Sequence, residues 1–258
     1  MQCTNSRENI MELNLKNIHY KLQIWVDGPD PHDHELIQQF IDDYYVRGFT
    51  CNPLLVSKYK YTYRYYIISL IHQIYPFPLS VQVLSDDTEK MFNQAINFHP
   101  MGGIGGTIIV KIPITNNEGE FNLDLIKRLL ERYIPVNITA VFTIEQVSSI
   151  LRMLETIKKV HPTCIISIFA GRIADTGQDP CEIIKKIVYL TKDRKDVKIL
   201  WASTREVYNI IQALDSGCDI ITVSPEILLK TKLLGKDLTD YSLDTVRQFN
   251  EAAKKYTL

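Results

Sequence analysis

TIIVKIPITNNEGEFNLDLIKRLLERYIPVNITAVF, residues 107–142, sets the reading of the whole chain. A short β-branched run (TIIVKI, 107–112) leads into a stretch at 124–133 patterned like an amphipathic helix. A second apolar run (VNITAVF, 136–142) follows. Runs this rich in Val and Ile are expected of strands buried on both faces, as in a parallel sheet. The alternation continues on either side, with runs at 22–27 (LQIWVD), 48–51 (GFTC), 79–84 (LSVQVL), 163–169 (TCIISIF), 197–202 (VKILWA) and 219–223 (DIITV). Helical patterns fall between them. Residues 34–45 place Leu36, Ile37, Phe40, Ile41 and Tyr44 on one face, and 145–159, 182–191 and 206–214 read similarly. Eight such alternations point to the α/β class and to a single (β/α)8 TIM barrel.

Length agrees. Dividing 258 residues by about 150 leaves roughly 1.7 domains, and one barrel of about 250 residues satisfies that fraction. A doubly wound nucleotide-binding sheet is disfavoured, because Gly28-Pro29-Asp30-Pro31 after the first run cannot serve as a G-x-G-x-x-G turn. The glycine cluster at 102–106 precedes a strand instead of following one. With no linker in view, the expected organisation is a polar N-terminal tail or extension at 1–20 and one barrel domain at 21–258. An extra C-terminal helix is expected near 242–256.

The chain carries 29 Lys and Arg against 30 Asp and Glu, a net charge of −1. That balance excludes a nucleic-acid coat or a polybasic membrane anchor while leaving room for a local cationic pocket. Apolar stretches stay well short of the roughly 18 residues of a membrane span. The polar N-terminus has no apolar signal segment. Five cysteines, an odd number without a C-x-x-C pair, fit a reducing compartment. A cytoplasmic protein with no membrane or nucleic-acid partner is therefore expected.

In a barrel of this kind chemistry gathers at the C-terminal ends of the strands. The polar residues there are Asp27, Asn52, Gln82, Lys111, Asn137 with Thr139, Ser167 followed by Arg172, and Ser203 followed by Arg205. The eighth run offers Thr222 and Ser224. Lys111 stands out, since lysine is seldom buried and an amine withdrawn from water is the nucleophile a Schiff base on a ketone requires. The plainer reading is a strand-end lysine that reaches solvent. Asp27 could be a general acid/base or a helix cap. Asn52 and Gln82 could meet substrate hydroxyls or be satisfied core amides. Arg172, Ser203 and Arg205 together suit a phosphate, whereas either arginine alone would suit a surface ion pair. His32 and His34, two residues apart, do not make a metal site. The tyrosine-rich stretch 59–66 (YKYTYRYY) is read as a helix packing its rings on the barrel or as an oligomer contact, and 192–196 (KDRKD) as a solvated turn. The cysteines show no His–acid arrangement for thiol catalysis.

Six of these stretches, in order, resemble the transaldolase family, including its fructose-6-phosphate aldolase-like branch. Val26-Asp27-Gly28 looks like the first-strand aspartate motif. Gly48-Phe49-Thr50-Cys51-Asn52-Pro53 looks like G-x-T-T-N-P, and Val110-Lys111-Ile112-Pro113 like the Schiff-base V-K-I-P. Residues 136–142 look like V-N-V-T-x-x-F, 167–173 like S-P-F-x-G-R-I, and Trp201-Ala202-Ser203-Thr204-Arg205 like A-A-S-x-R. The resemblance implies class I aldolase chemistry without metal or organic cofactor. In it Lys111 forms an imine with the C2 ketone of a ketose phosphate and Asp27 takes the C4 hydroxyl proton. Gln82 and Thr139 would position a water, while Asn52, Ser167 and Phe169 would line the donor subsite. Arg172, Ser203 and Arg205 would hold phosphate. Phosphorylated ketoses and aldoses are the implied partners and the pentose phosphate pathway the implied setting.

Gln82 stands where transaldolases usually carry Glu, as in the aldolase-like branch, whereas Phe169 follows the transaldolases. Cys51 and Ile168 replace the usual Thr and Pro, and the residues after Asp27 differ from the small enzymes' T-A-N. Transfer of a dihydroxyacetone unit between phosphorylated sugars is thus the leading expectation. Cleavage of fructose 6-phosphate without an acceptor is the alternative, and a non-catalytic sugar-phosphate-binding barrel is the third reading. Family members assemble in different ways, so a homo-oligomer is left open.

Overall fold

Eight short strands alternate with helices in the computed structural model, which describes residues 15–103, 106–158 and 162–256. They are β1 (Gln23–Asp27), β2 (Val46–Cys51), β3 (Leu79–Gln82), β4 (Ile108–Pro113), β5 (Val136–Val141), β6 (Cys164–Ile168), β7 (Val197–Trp201) and β8 (Ile220–Val223). Each pairs in parallel with the next, and β8 closes onto β1 through Gln23–Ile220 and Val26–Val223. The fold is the (β/α)8 barrel expected from the alternation, and closure leaves no strand edge unpaired.

The helices sit where local chemistry starts them. Ile144–Glu155 opens on a capping box, in which Thr143 accepts from Gln146 N and the Gln146 side chain returns to Thr143 N. It buries Val147, Ile150, Met153 and Leu154 against the barrel. Pro180–Thr191 starts with Asp179 as its cap and Pro180 at the first helical position. The expected helix at 145–159 ends at Glu155, and residue 159 lies outside the described residues. Within 1–20, Leu15–Ile18 forms a helical turn whose Leu15 and Ile18 are buried. Residues 1–14, Cys3 among them, and part of the 102–106 glycine cluster lie outside the description. The C-terminal helix runs Leu238–Ala253, four residues earlier at its start than expected, and buries no side chain. No helix among the described residues is long and apolar enough to cross a membrane.

Strand alternation produces two cores. Outward residues such as Val26, Phe49, Val81, Ile112 and Ile138 pack beneath the helices. Inward residues Trp25, Ile109, Ile165, Leu200 and Ile220 form a smaller apolar floor inside the barrel. The floor depends on one glycine: a Cβ at Gly48 would lie 2.4 Å from the Trp25 ring. Gly48→Ala is therefore an overpacking change and should cost about 1–3 kcal/mol. At this chain length each kcal/mol lowers the melting temperature by about 2–4 °C. An unchanged melting temperature would mean that the Trp25 ring shifts freely.

Candidate active site

Above the apolar floor, the same inward positions turn polar. Asp27, Lys111, Ser167 and Thr222 are each two residues beyond Trp25, Ile109, Ile165 and Ile220, so the strand period aims them into the barrel. Register places Asp27 beside Thr50, Gln82 beside Lys111, Lys111 beside Asn137, and Pro113 beside Thr139. Polar side chains from the early and middle strands thus share one level.

Lys111 is only 3% exposed. Among the described residues its ammonium makes no hydrogen bond or ion pair, and its charge is felt by Asp27. The Asp27 carboxylate accepts a 2.5 Å hydrogen bond from Thr50 Oγ1, which lies 2.9 Å from Thr222 Oγ1. Burial pushes the Asp27 carboxyl above the ordinary aspartate range. The Lys111 charge, then the Thr50 hydroxyl and Lys58, oppose this without reversing it.

Across the barrel, Ser167 Oγ donates to Asn137 Oδ1 at 2.7 Å, and Asn137 Nδ2 donates to Ser80 Oγ at 2.9 Å. All three side chains are buried. Thr139 is buried and, among the described residues, its hydroxyl has no partner, an arrangement that asks for a ligand or water. Ala140, the next residue, has φ 57° at the irregularity where β5 loses register with β6. Left-handed backbone at a non-glycine residue is costly and recurs at functional sites.

The later strands build a more open corner. Phe169 stacks on Phe142 with centroids 5.7 Å apart, and the Arg172 guanidinium lies 5.7 Å from the Phe169 centroid. A Cβ at Gly171 would fall 1.8 Å from the Ser203 carbonyl oxygen and 3.0 Å from Arg205 Cγ. The glycine thus lets the 170–174 helix touch the loop after β7, where Ser203 has φ 62°. Ser203 and Arg205 thus approach the short helix that carries Arg172. Arg205 is already paired with Asp175 at 2.6 Å, and both side chains are more than half exposed, so the pair is weak and open to exchange.

Asn52 has a local task as well as a place at the mouth: its Oδ1 accepts from Leu55 N and caps Pro53–Val56. Gln82 makes no side-chain hydrogen bond among the described residues, while its carbonyl accepts from Tyr63 Oη at 2.9 Å. The thiols are poor nucleophiles, since burial pushes Cys51 and Cys164 up to about 12. His32 stacks with Tyr61 and Tyr65, and among the described residues no group of three or more His, Cys, Asp or Glu side chains could hold a metal. Sequence reasoning passed over Thr50 and Ser80, whose small hydroxyls hardly interrupt an apolar run. Thr50 shares the parity of Gly48 and Asn52, and that was the available signal.

Residues 24–258 match the profile of the Transaldolase/Fructose-6-phosphate aldolase family. The chain belongs to this family. Among family relatives, a protein of Nitrosopumilus maritimus named "Probable transaldolase" is 31% identical over 212 residues, covering 81% of this chain and 87% of that one. One of the same name from Thermoplasma volcanium is 33% identical over 199 residues, covering 74% and 81%. Solved structures show the shared barrel alone. N-acetylneuraminate lyase from Fusobacterium nucleatum superposes with a TM-score of 0.53 at 13% identity, covering 91% of this chain and 83% of that one. Thiamine phosphate pyrophosphorylase from Pyrococcus furiosus gives 0.51 at 13%, covering 83% and 90%.

Proposed function

We propose that this family member is a transaldolase that moves a dihydroxyacetone unit between phosphorylated sugars through an imine on Lys111. The observation that carries the proposal is a lysine almost sealed in the barrel, without an ion-pair partner among the described residues, at the level of a half-buried carboxylate. The Lys111 amine attacks the C2 ketone of the donor, and the ketone oxygen leaves as water. Asp27 takes the C4 hydroxyl proton. The C3–C4 bonding pair moves into the iminium as an enamine, and the aldose fragment leaves as an aldehyde. The enamine then attacks an acceptor aldehyde, and hydrolysis returns the amine. Thr139, its hydroxyl unpartnered among the described residues, and Gln82 hold the water that relays protons. Asn52 and Ser167 meet the hydroxyls of the three-carbon unit, Phe169 walls it, and Arg172, Ser203 and Arg205 hold the phosphate.

Gln82 favours a second reading, because an amide orients water but does not exchange a proton as a glutamate would. An enzyme with a slower relay could cleave fructose 6-phosphate without an acceptor. One experiment separates the readings: incubate with fructose 6-phosphate, reduce with borohydride, map the adduct by mass spectrometry, and follow glyceraldehyde 3-phosphate. The transaldolase reading expects an adduct on Lys111, and release limited to about one equivalent per chain until erythrose 4-phosphate is added. Sustained release without acceptor would assign the aldolase reading. No adduct with any ketose phosphate would leave a non-catalytic binding barrel.

A further inference from the structure

The loop after β1 is gripped residue by residue by one distant segment. Tyr59 Oη donates to the Gly28 carbonyl at 3.0 Å, and Tyr66 Oη to the Pro29 carbonyl at 2.8 Å. Tyr61 Oη reaches Asp30 Oδ1 at 3.4 Å, Gln73 Nε2 donates to the Pro31 carbonyl, and Tyr65 Oη lies 3.2 Å from His32 Nε2. Five consecutive residues, 28–32, therefore each have a partner between residues 59 and 73. The rings reinforce the grip, Tyr59 stacking with Tyr61 and Tyr66, and His32 with Tyr61.

The loop needs such support. It contains two prolines, which cannot donate, and Gly28 at φ 63°, where a Cβ would meet Leu55 at 2.9 Å. Gly28 N, bonded to Thr50 O at 2.8 Å, ties the turn back to the barrel sheet. Asp27 immediately precedes this turn. The same aromatic segment also reaches β3, through the bond of Tyr63 to the Gln82 carbonyl.

We propose that the tyrosine segment is a positioning device for the reaction: the hydroxyls of Tyr59 and Tyr66 fix the backbone that follows Asp27, and so hold its carboxylate in line for the C4 hydroxyl proton. The inference rests on the imine reading above and adds residues that do not touch substrate. The Tyr59 and Tyr66 hydroxyls bond residues 28 and 29 and not β4, where Lys111 stands, and Tyr63, whose bond reaches Gln82 beside Lys111, is a separate contact of the segment. The clamp therefore acts on carbon–carbon cleavage and not on imine formation.

A double Tyr59→Phe, Tyr66→Phe variant removes the two hydroxyls and keeps the rings. In single-turnover experiments with fructose 6-phosphate, borohydride trapping at Lys111 should proceed within about twofold of wild type, while aldehyde release should slow by about tenfold or more. The acid limb of the pH profile for release should also move to lower pH, because a loosened loop admits water to Asp27. The charged and titratable groups around that carboxylate, Lys111 on β4, Lys58 after β2, Cys51 and Tyr66, remain as they are apart from the deleted hydroxyl. Release and acid limb equal to wild type would overturn the proposal, as would trapping and release falling together, the mark of general damage. Tyr59→Phe alone, at a half-buried site, should show a smaller shift in the same direction, and its absence there would count against the clamp. A wild-type protein that forms no adduct would instead overturn the imine reading beneath it.

Discussion

Lys111→Met should leave a folded barrel that forms no borohydride-trapped adduct and loses about 10³-fold or more of its activity toward ketose phosphates. Methionine matches the length of the lysine stem, so the barrel keeps its packing at β4. An apolar side chain of similar volume removes the burial cost of the ammonium, while loss of its charge leaves Asp27 to bear burial without that attraction. The two effects oppose, so the melting temperature should stay within about 4 °C of wild type, a net change of roughly 1 kcal/mol. Asp27 provides an internal check. The Lys111 charge is the largest influence holding its carboxyl down against burial, so in the variant that carboxyl should titrate at still higher pH. An adduct on another lysine, or activity within tenfold of wild type, would remove Lys111 from the chemistry.

Asp27→Asn should separate the two halves of the reaction. Imine formation on Lys111 should survive, whereas carbon–carbon cleavage should fall by about 10²- to 10⁴-fold, the usual worth of a positioned acid/base. Stability should move the other way. Burial holds the folded-state pKa of Asp27 above its unfolded value. Between those two values the native state binds more protons than the unfolded one, so stability falls as pH rises through that window and stays lower above it. Asparagine escapes this loss. Its melting temperature should exceed that of wild type at pH 7, by about 2–4 °C for each kcal/mol recovered, and the gap should close toward pH 3–4. Denaturation at both pH values checks the sign. A wild type that is the more stable form at pH 7 would show that attraction to Lys111 outweighs the cost of burial.

The strands and the candidate chemistry were legible for a common reason. A charged residue inside VKIP, or at the end of LQIWVD, interrupts an apolar run sharply enough to be seen in one sequence. Short helices carry less signal. Pro53–Val56 and Ala170–Ala174 are too brief for a periodic stripe, and Thr88–Phe98 buries only Met91, Ala95 and Phe98. The tyrosine stretch 59–66 reads as a helix packing its rings on the barrel or as an oligomer contact; helix Tyr63–Gln73 takes in only its second half, and residues 59–62 lie in the bend before it. Its bonds to residues 28–32 cross some thirty positions of chain, and such pairing leaves no local pattern to read. Arg205 illustrates a third limit: its position after β7 was evident, but its bond to Asp175 depends on the close approach that Gly171 permits.

The chain of bonds from Ser167 through Asn137 to Ser80 has a direction. Ser167 spends its only proton on the Asn137 carbonyl oxygen, and Asn137 in turn spends an amide proton on Ser80. What Ser167 has left are lone pairs. A ligand atom that meets it must therefore bring a hydrogen of its own, as a sugar hydroxyl or a protonated nitrogen does, and a bare carbonyl or phosphate oxygen would find only repulsion there. Under the proposed transaldolase reading, this one buried serine would favour the alcohol end of a sugar over its oxidised or phosphorylated end.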